Sequence, residues 1–116
     1  MRLQFAIRVA LYCAIIFAVV MASLPHPPRL PGMSADKIQH MTAFATIGAL
    51  AALGYPKTRL FTLFALLSAL GGGIELIQAI PALNRDSDWM DWLADMAAGL
   101  VALCAIRALQ RHRPPS

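Results

Sequence analysis

Long apolar runs separated by short polar clusters set the pattern of this chain. A helix needs about 20 residues to cross a hydrocarbon core about 30 Å thick. Four stretches approach that length, at residues 3–24, 36–54, 59–80 and 88–107, with a basic tail at 108–116. Hydropathy alone ranks the fourth lowest, because Asp91 and Asp95 occupy its beginning. Pro25, Pro27, Pro28 and Pro31 break the chain after the first stretch, Tyr55 and Pro56 end the second, and Pro81 ends the third. The third contains GGGIELIQ at 71–78, where Glu75, the chain's one glutamate, follows three glycines. Glycine is tolerated in membrane helices, so close helix packing is expected at 71–73, and not a break.

The pattern predicts an all-α membrane bundle of four transmembrane helices in a single domain, 1–116. A signal peptide is the rival reading of the first stretch, with a basic start and small Ala22 near a cleavage point. Its apolar core is long for a signal, which favours a retained helix.

Composition moves the class the same way. The chain is 59% hydrophobic and 14% charged, against about 25% charged in soluble domains. The net charge of +4 comes without a solvated basic face or an aromatic platform, so nucleic acid is not an expected partner. The basic residues instead punctuate apolar runs. Seven of the ten, Arg2, Arg8, Lys57, Arg59, Arg107, Arg111 and Arg113, fall on one side of the four-span arrangement. Arg29, Lys37 and Arg85 fall on the other. Positive-inside asymmetry then makes both termini cytoplasmic and puts Trp89 and Trp92 at the outer interface. Cys13 and Cys104 lie in apolar runs outside any CxxC or Cys/His cluster, so neither a disulfide framework nor a zinc site is expected.

All six acids, Asp36, Glu75, Asp86, Asp88, Asp91 and Asp95, then lie at or near outer helix ends. A rise of 1.5 Å per residue puts His40 about 6 Å, Glu75 about 8 Å and Asp95 about 10 Å inside those ends. Asp36, Lys37 and His40 lie near one helix face, as do Glu75 and Gln78. Asp88, Asp91, Asp95 and Gly99 form one stripe. The expectation is an outward-facing polar pocket built from Asp36, Lys37, His40, Glu75, Gln78, Arg85, Asp88, Asp91 and Asp95. Plainer roles compete for several of these. Asp36 and Asp88 suit helix caps, Lys37 suits a snorkelling interfacial charge, and Trp89 and Trp92 suit interface anchors. A Glu75–Arg85 or Glu75–Lys37 pair that only locks the bundle also stays open. Glu75 and Asp95 resist capping roles best, because a charge in hydrocarbon costs several kcal/mol unless paired or hydrated. Small residues four apart, Ala45–Ala49, Gly48–Ala52 and Ala98–Ala102, suit packing within the bundle or in a homo-oligomer.

The segments DKIQHMTAFATIGAL (36–50), IELIQ (74–78) and NRDSDWMDWLADMAAG (84–99), in this order, resemble the DK–H–F–G, E–Q and R–D–D–N–G segments of the VanZ-like family. The matching positions are Asp36, Lys37, His40, Glu75, Gln78, Arg85, Asp88, Asp91 and Gly99; Asp95 departs from the family's usual asparagine. The resemblance implies a small bacterial inner-membrane protein of the cell envelope, in a family named for a teicoplanin-resistance protein. The expected partners are membrane lipids and a lipid-linked envelope precursor or glycopeptide. No cofactor or metal is expected. The first function is binding of a lipid headgroup, lipid-linked wall component or lipoglycopeptide in the outer pocket. The alternative is a membrane-embedded enzyme using acid–base or Mg²⁺-assisted chemistry, with Glu75, His40 and Asp36 as candidate catalytic groups. GxSxG, HExxH and P-loop motifs are absent, which ranks binding first. Proton relay through His40, Glu75 and Asp95 ranks last, because the inner halves of the four stretches are apolar.

Overall fold

A computed structural model of the 116-residue chain describes residues 2–24, 35–83 and 89–112, the backbone only at 35–37 and 83. The chain is all-α in these residues. Four helices follow in order, α1 Arg2–Ser23, α2 Ala35–Gly54, α3 Leu60–Gln78 and α4 Trp89–Arg111, with a 3-10 turn at Pro81–Leu83 between α3 and α4. Three of them, α1, α3 and α4, are long and apolar enough to cross a membrane. Within α2 the apolar stretch is Ile38–Gly54. Averaged over its whole length α4 is the least apolar of the four helices, as its acidic start implies. The last helix runs to Arg111, and the apolar stretch beyond Asp95 supplies the length that its acidic start lacks.

The helix ends follow local chemistry. α2 stops at Gly54, ahead of Tyr55-Pro56, because the residue before a proline is pushed out of the helical region. α3 stays helical through Gly71, Gly72 and Gly73 and ends with the Ala79 N–H on the Glu75 carbonyl.

In hydrocarbon, each backbone carbonyl freed at a helix end needs a partner within the protein. At the α2–α3 turn those partners are side chains from the first and last helices. Arg8 Nε donates to the Gly54 carbonyl at 2.7 Å, and its guanidinium lies 4.2 Å from the centre of the Tyr55 ring. Tyr55 in turn shares a hydrogen bond between hydroxyls with Tyr12. From α4, Arg107 donates to the Pro56 carbonyl and to the Thr58 carbonyl, the latter at 3.0 Å. Gln110 Nε2 donates to Ala52 O at 3.1 Å. Arg8 and Arg107, which read as topology signals, thus also close the end of α2. We call this the basic end of the bundle and the opposite one the acid end.

α2 packs against all three other helices, most extensively against α4. The two run in parallel and approach closely at Gly48, where a methyl group would come within 2.9 Å of Gly99 O and 3.6 Å of the Ala102 methyl. The Gly48–Ala52 pair is buried, and Ala102 faces it, as small-residue spacing at a helix crossing requires. Phe44, Ile47, Leu63, Leu67, Met96 and Leu103 fill the core around this crossing. The exterior is apolar as well, with Phe61 80% and Leu76 76% exposed. In water such a surface would drive association, whereas acyl chains solvate it without penalty. Cys13 and Cys104 are free thiols on this exterior.

Candidate functional site

The site is best located from the level at which α2, α3 and α4 meet. A methyl group at Gly99 would overlap Leu67 Cδ2 of α3 and lie 3.6 Å from Phe44 O of α2. One helical turn from that level toward the acid end, about 6 Å, stand His40 on α2, Asp95 on α4 and Gly71 on α3. Two turns from it, about 12 Å, stand Asp36, Asp91 and Glu75. Glu75 therefore lies a turn nearer the helix ends than His40 and Asp95, where depth counted from the sequence put the three nearly level. The cause is the α3–α4 register. Gly71 lies against α4, where a methyl group would come within 2.7 Å of Met96 Cε and 3.1 Å of Trp92 Cδ1, and Glu75 is one turn beyond it.

Burial separates the expected pocket residues. Gln78 and Asp95 are almost fully enclosed, at 2% and 3% exposure, while His40, Glu75 and Asp91 are half-buried. Gln78 Nε2 lies 3.4 Å from Ala22 O, one of the last carbonyls of α1, so Gln78 links α3 to the end of α1. His40, Glu75, Asp91 and Asp95 each have an interaction partner, as enclosed polar groups need. The side chains of Asp36 and Lys37, and the whole of Arg85 and Asp88, lie outside the described residues. Among the described residues, no group of three His, Cys, Asp or Glu side chains comes together to hold a metal ion.

The two tryptophans divide their roles. Trp89 is 78% exposed at the start of α4. Trp92 is half-buried, donates its indole N–H to Ser68 O at 3.3 Å, and packs its ring where Gly71 has no side chain. Their rings meet edge to face at 5.9 Å. The glycine run has the same division. Gly71 admits Trp92 and Met96, whereas a side chain at Gly73 would meet nothing within 4 Å.

A cavity of about 560 Å³ opens between α1 and α2. Ala14, Ala18 and Ala22 line its α1 wall, Gln39, His40, Ala43, Thr42 and Thr46 its α2 wall, and Ile74 closes it from α3. His40 is the one expected pocket residue in its lining among the described residues. The sequence carries a signal for this cavity in the four-residue spacing of Ala14, Ala18 and Ala22, which leaves a shallow channel down one face of α1. The chain matches no family model, and comparisons with curated proteins and with solved structures return no match.

Proposed function

We propose that this is a multi-pass, VanZ-like protein of the bacterial cytoplasmic membrane that binds, at its acid end, the polar headgroup of a lipid, a lipid-linked wall component or a lipoglycopeptide. In this reading α2 crosses the membrane with the other three helices, both termini are cytoplasmic and the acid end faces outward. The observation that carries it is the burial of Gln78 and Asp95, at 2% and 3% exposure, with His40, Glu75 and Asp91 half-buried toward the same end of the bundle. Polar groups at membrane depth are expensive to keep and mark sites more often than they stabilise. Lys37 and Arg85 are the groups for a phosphate or carboxylate. Glu75, Gln78, Asp91 and Asp95 are the acceptors for sugar hydroxyls or an amine, and Asp36 and Asp88 are further candidate ligand groups. A link to teicoplanin-type resistance rests on the family resemblance alone.

Mass spectrometry of lipids and envelope precursors that copurify with the wild type and with Glu75→Gln tests this. The expected result is one headgroup class enriched with the wild type and reduced on the order of tenfold in the variant, equivalent to about 1.4 kcal/mol of lost contact. Identical profiles would end the reading.

A further inference from the structure

The cavity between α1 and α2 is not explained by a headgroup site. Of the expected acid-end residues described, only His40 lines it. From Ala22 to Ala14 it follows α1 for two turns, about 12 Å, and its volume of about 560 Å³ falls in the range of small-molecule sites, ~300–1,000 Å³. Its chemistry changes along that length. At the acid end its wall carries Gln39 and the half-buried His40. Further down, the Thr46 hydroxyl is withdrawn. Thr46 Oγ1 donates to the Thr42 carbonyl at 2.8 Å on its own helix, so this hydroxyl seeks no outside partner. Alanine methyls and Phe44 make up much of what remains. One polar end followed by an apolar channel is the complement of a single amphiphile lying along the helices.

The rim settles which kind. Phe17 is 66% and Ile38 59% exposed, so the channel opens sideways onto the apolar exterior. In a bilayer that exterior faces lipid chains. We infer that the α1–α2 cavity seats one acyl chain of a lipid, with its headgroup end at Gln39 and His40. The inference rests on the headgroup reading of the acid end, and it adds that the ligand's chain is recognised as well. Ala18 and Ala43, on opposite walls, are then specificity-determining through their smallness, because a larger side chain at either shortens the channel.

The test uses the full chain in nanodiscs containing phosphatidylglycerol with a photoactivatable diazirine on one acyl chain. Crosslinked residues are mapped by mass spectrometry in the wild type, Ala43→Phe and Ala18→Phe. Adducts are expected to concentrate on the cavity walls and to fall on the order of tenfold in both variants, with adducts on the exposed face at Phe61 unchanged. Phe61 adducts and the thermal transition together report that each variant is folded. Adducts spread evenly over the exterior, or unchanged in two folded variants, would overturn the inference. So would crosslinks joining Phe17 of two chains, because a second copy would then fill the cavity. Failure of the two readings is distinguishable. Cavity adducts beside a copurifying profile indifferent to Glu75→Gln sink the headgroup reading and spare the chain site. A Glu75-dependent profile without cavity adducts does the reverse.

Discussion

At Gly48, Gly71 and Gly73 the same substitution meets three different surroundings, and the outcomes should differ in sign. A methyl group at Gly48 would lie 2.9 Å from the Gly99 carbonyl oxygen, a backbone atom that cannot rotate away. Gly48→Ala must therefore push α2 from α4, at about 1–3 kcal/mol. At Gly71 the nearest atom is the end of the flexible Met96 side chain at 2.7 Å, so Gly71→Ala should cost less. At Gly73 nothing lies within 4 Å, and the better helix propensity of alanine should stabilise by about 0.5–1 kcal/mol. Thermal unfolding in detergent reads this order, and equal shifts for all three would mean that the α2–α4 crossing is not the tight one. Gln78 allows a second test at this scale. Gln78→Met keeps the shape and loses the contact with Ala22 O, about 1 kcal/mol. Gln78→Glu places a carboxylate against that carbonyl at 2% exposure and should cost several kcal/mol more, read by the same unfolding experiment.

At the scale of the elements, the existence of the helices was legible in the chain and their mutual register was not. Proline positions and apolar length located four helices, because both act locally. The continuity of α3 through its glycines was also readable, since the membrane penalises a break. The register depends on which small residues touch which partner, and spacing does not name the partner. That is why Glu75 read as level with Asp95 when Gly71, one turn deeper, is the residue that lies against α4. The end of α4 shows the same limit. The pattern stops near 107, but the helix runs to Arg111, and Arg107 and Gln110 hold the α2–α3 turn. The fork of Arg107 bonds two carbonyls at once, and a lysine ammonium cannot copy that planar geometry. Arg107→Ala should therefore expose the turn, with trypsin cleavage after Lys57 or Arg59 rising about fivefold for each ~1 kcal/mol lost. Arg107→Lys should recover only part of the protection. Cleavage that is unchanged in both would show that Arg8 and Gln110 hold the turn without Arg107.

At the scale of the whole molecule, the described helix ends carry different charges, with Arg8, Lys57, Arg59, Arg107 and Arg111 at one and Glu75, Asp91 and Asp95 toward the other, which follows once the helices fold back on one another. Which end faces the cytoplasm is a separate matter, settled for most bundles by the lysines and arginines of short loops. Here Lys57 and Arg59 lie in one such loop and Arg111 follows at the same end, so the basic end should be cytoplasmic. Labelling with a membrane-impermeant maleimide tests this in a Cys13→Ala, Cys104→Ala background. Both thiols are on the exterior, and surface substitutions of this kind usually stay within about 0.5 kcal/mol. A cysteine at Ser87, between α3 and α4, should react on intact cells. One at Thr58, in the turn held by Arg107, should react only after permeabilisation. The reverse result would turn the acid end inward, and the ligand class would change from wall components to inner-leaflet headgroups. Reaction of both from outside would mean that α3 does not cross. Because α2 and α4 run in parallel and α3 joins them along the chain, that outcome would also remove the four-span arrangement on which an outward-facing site depends.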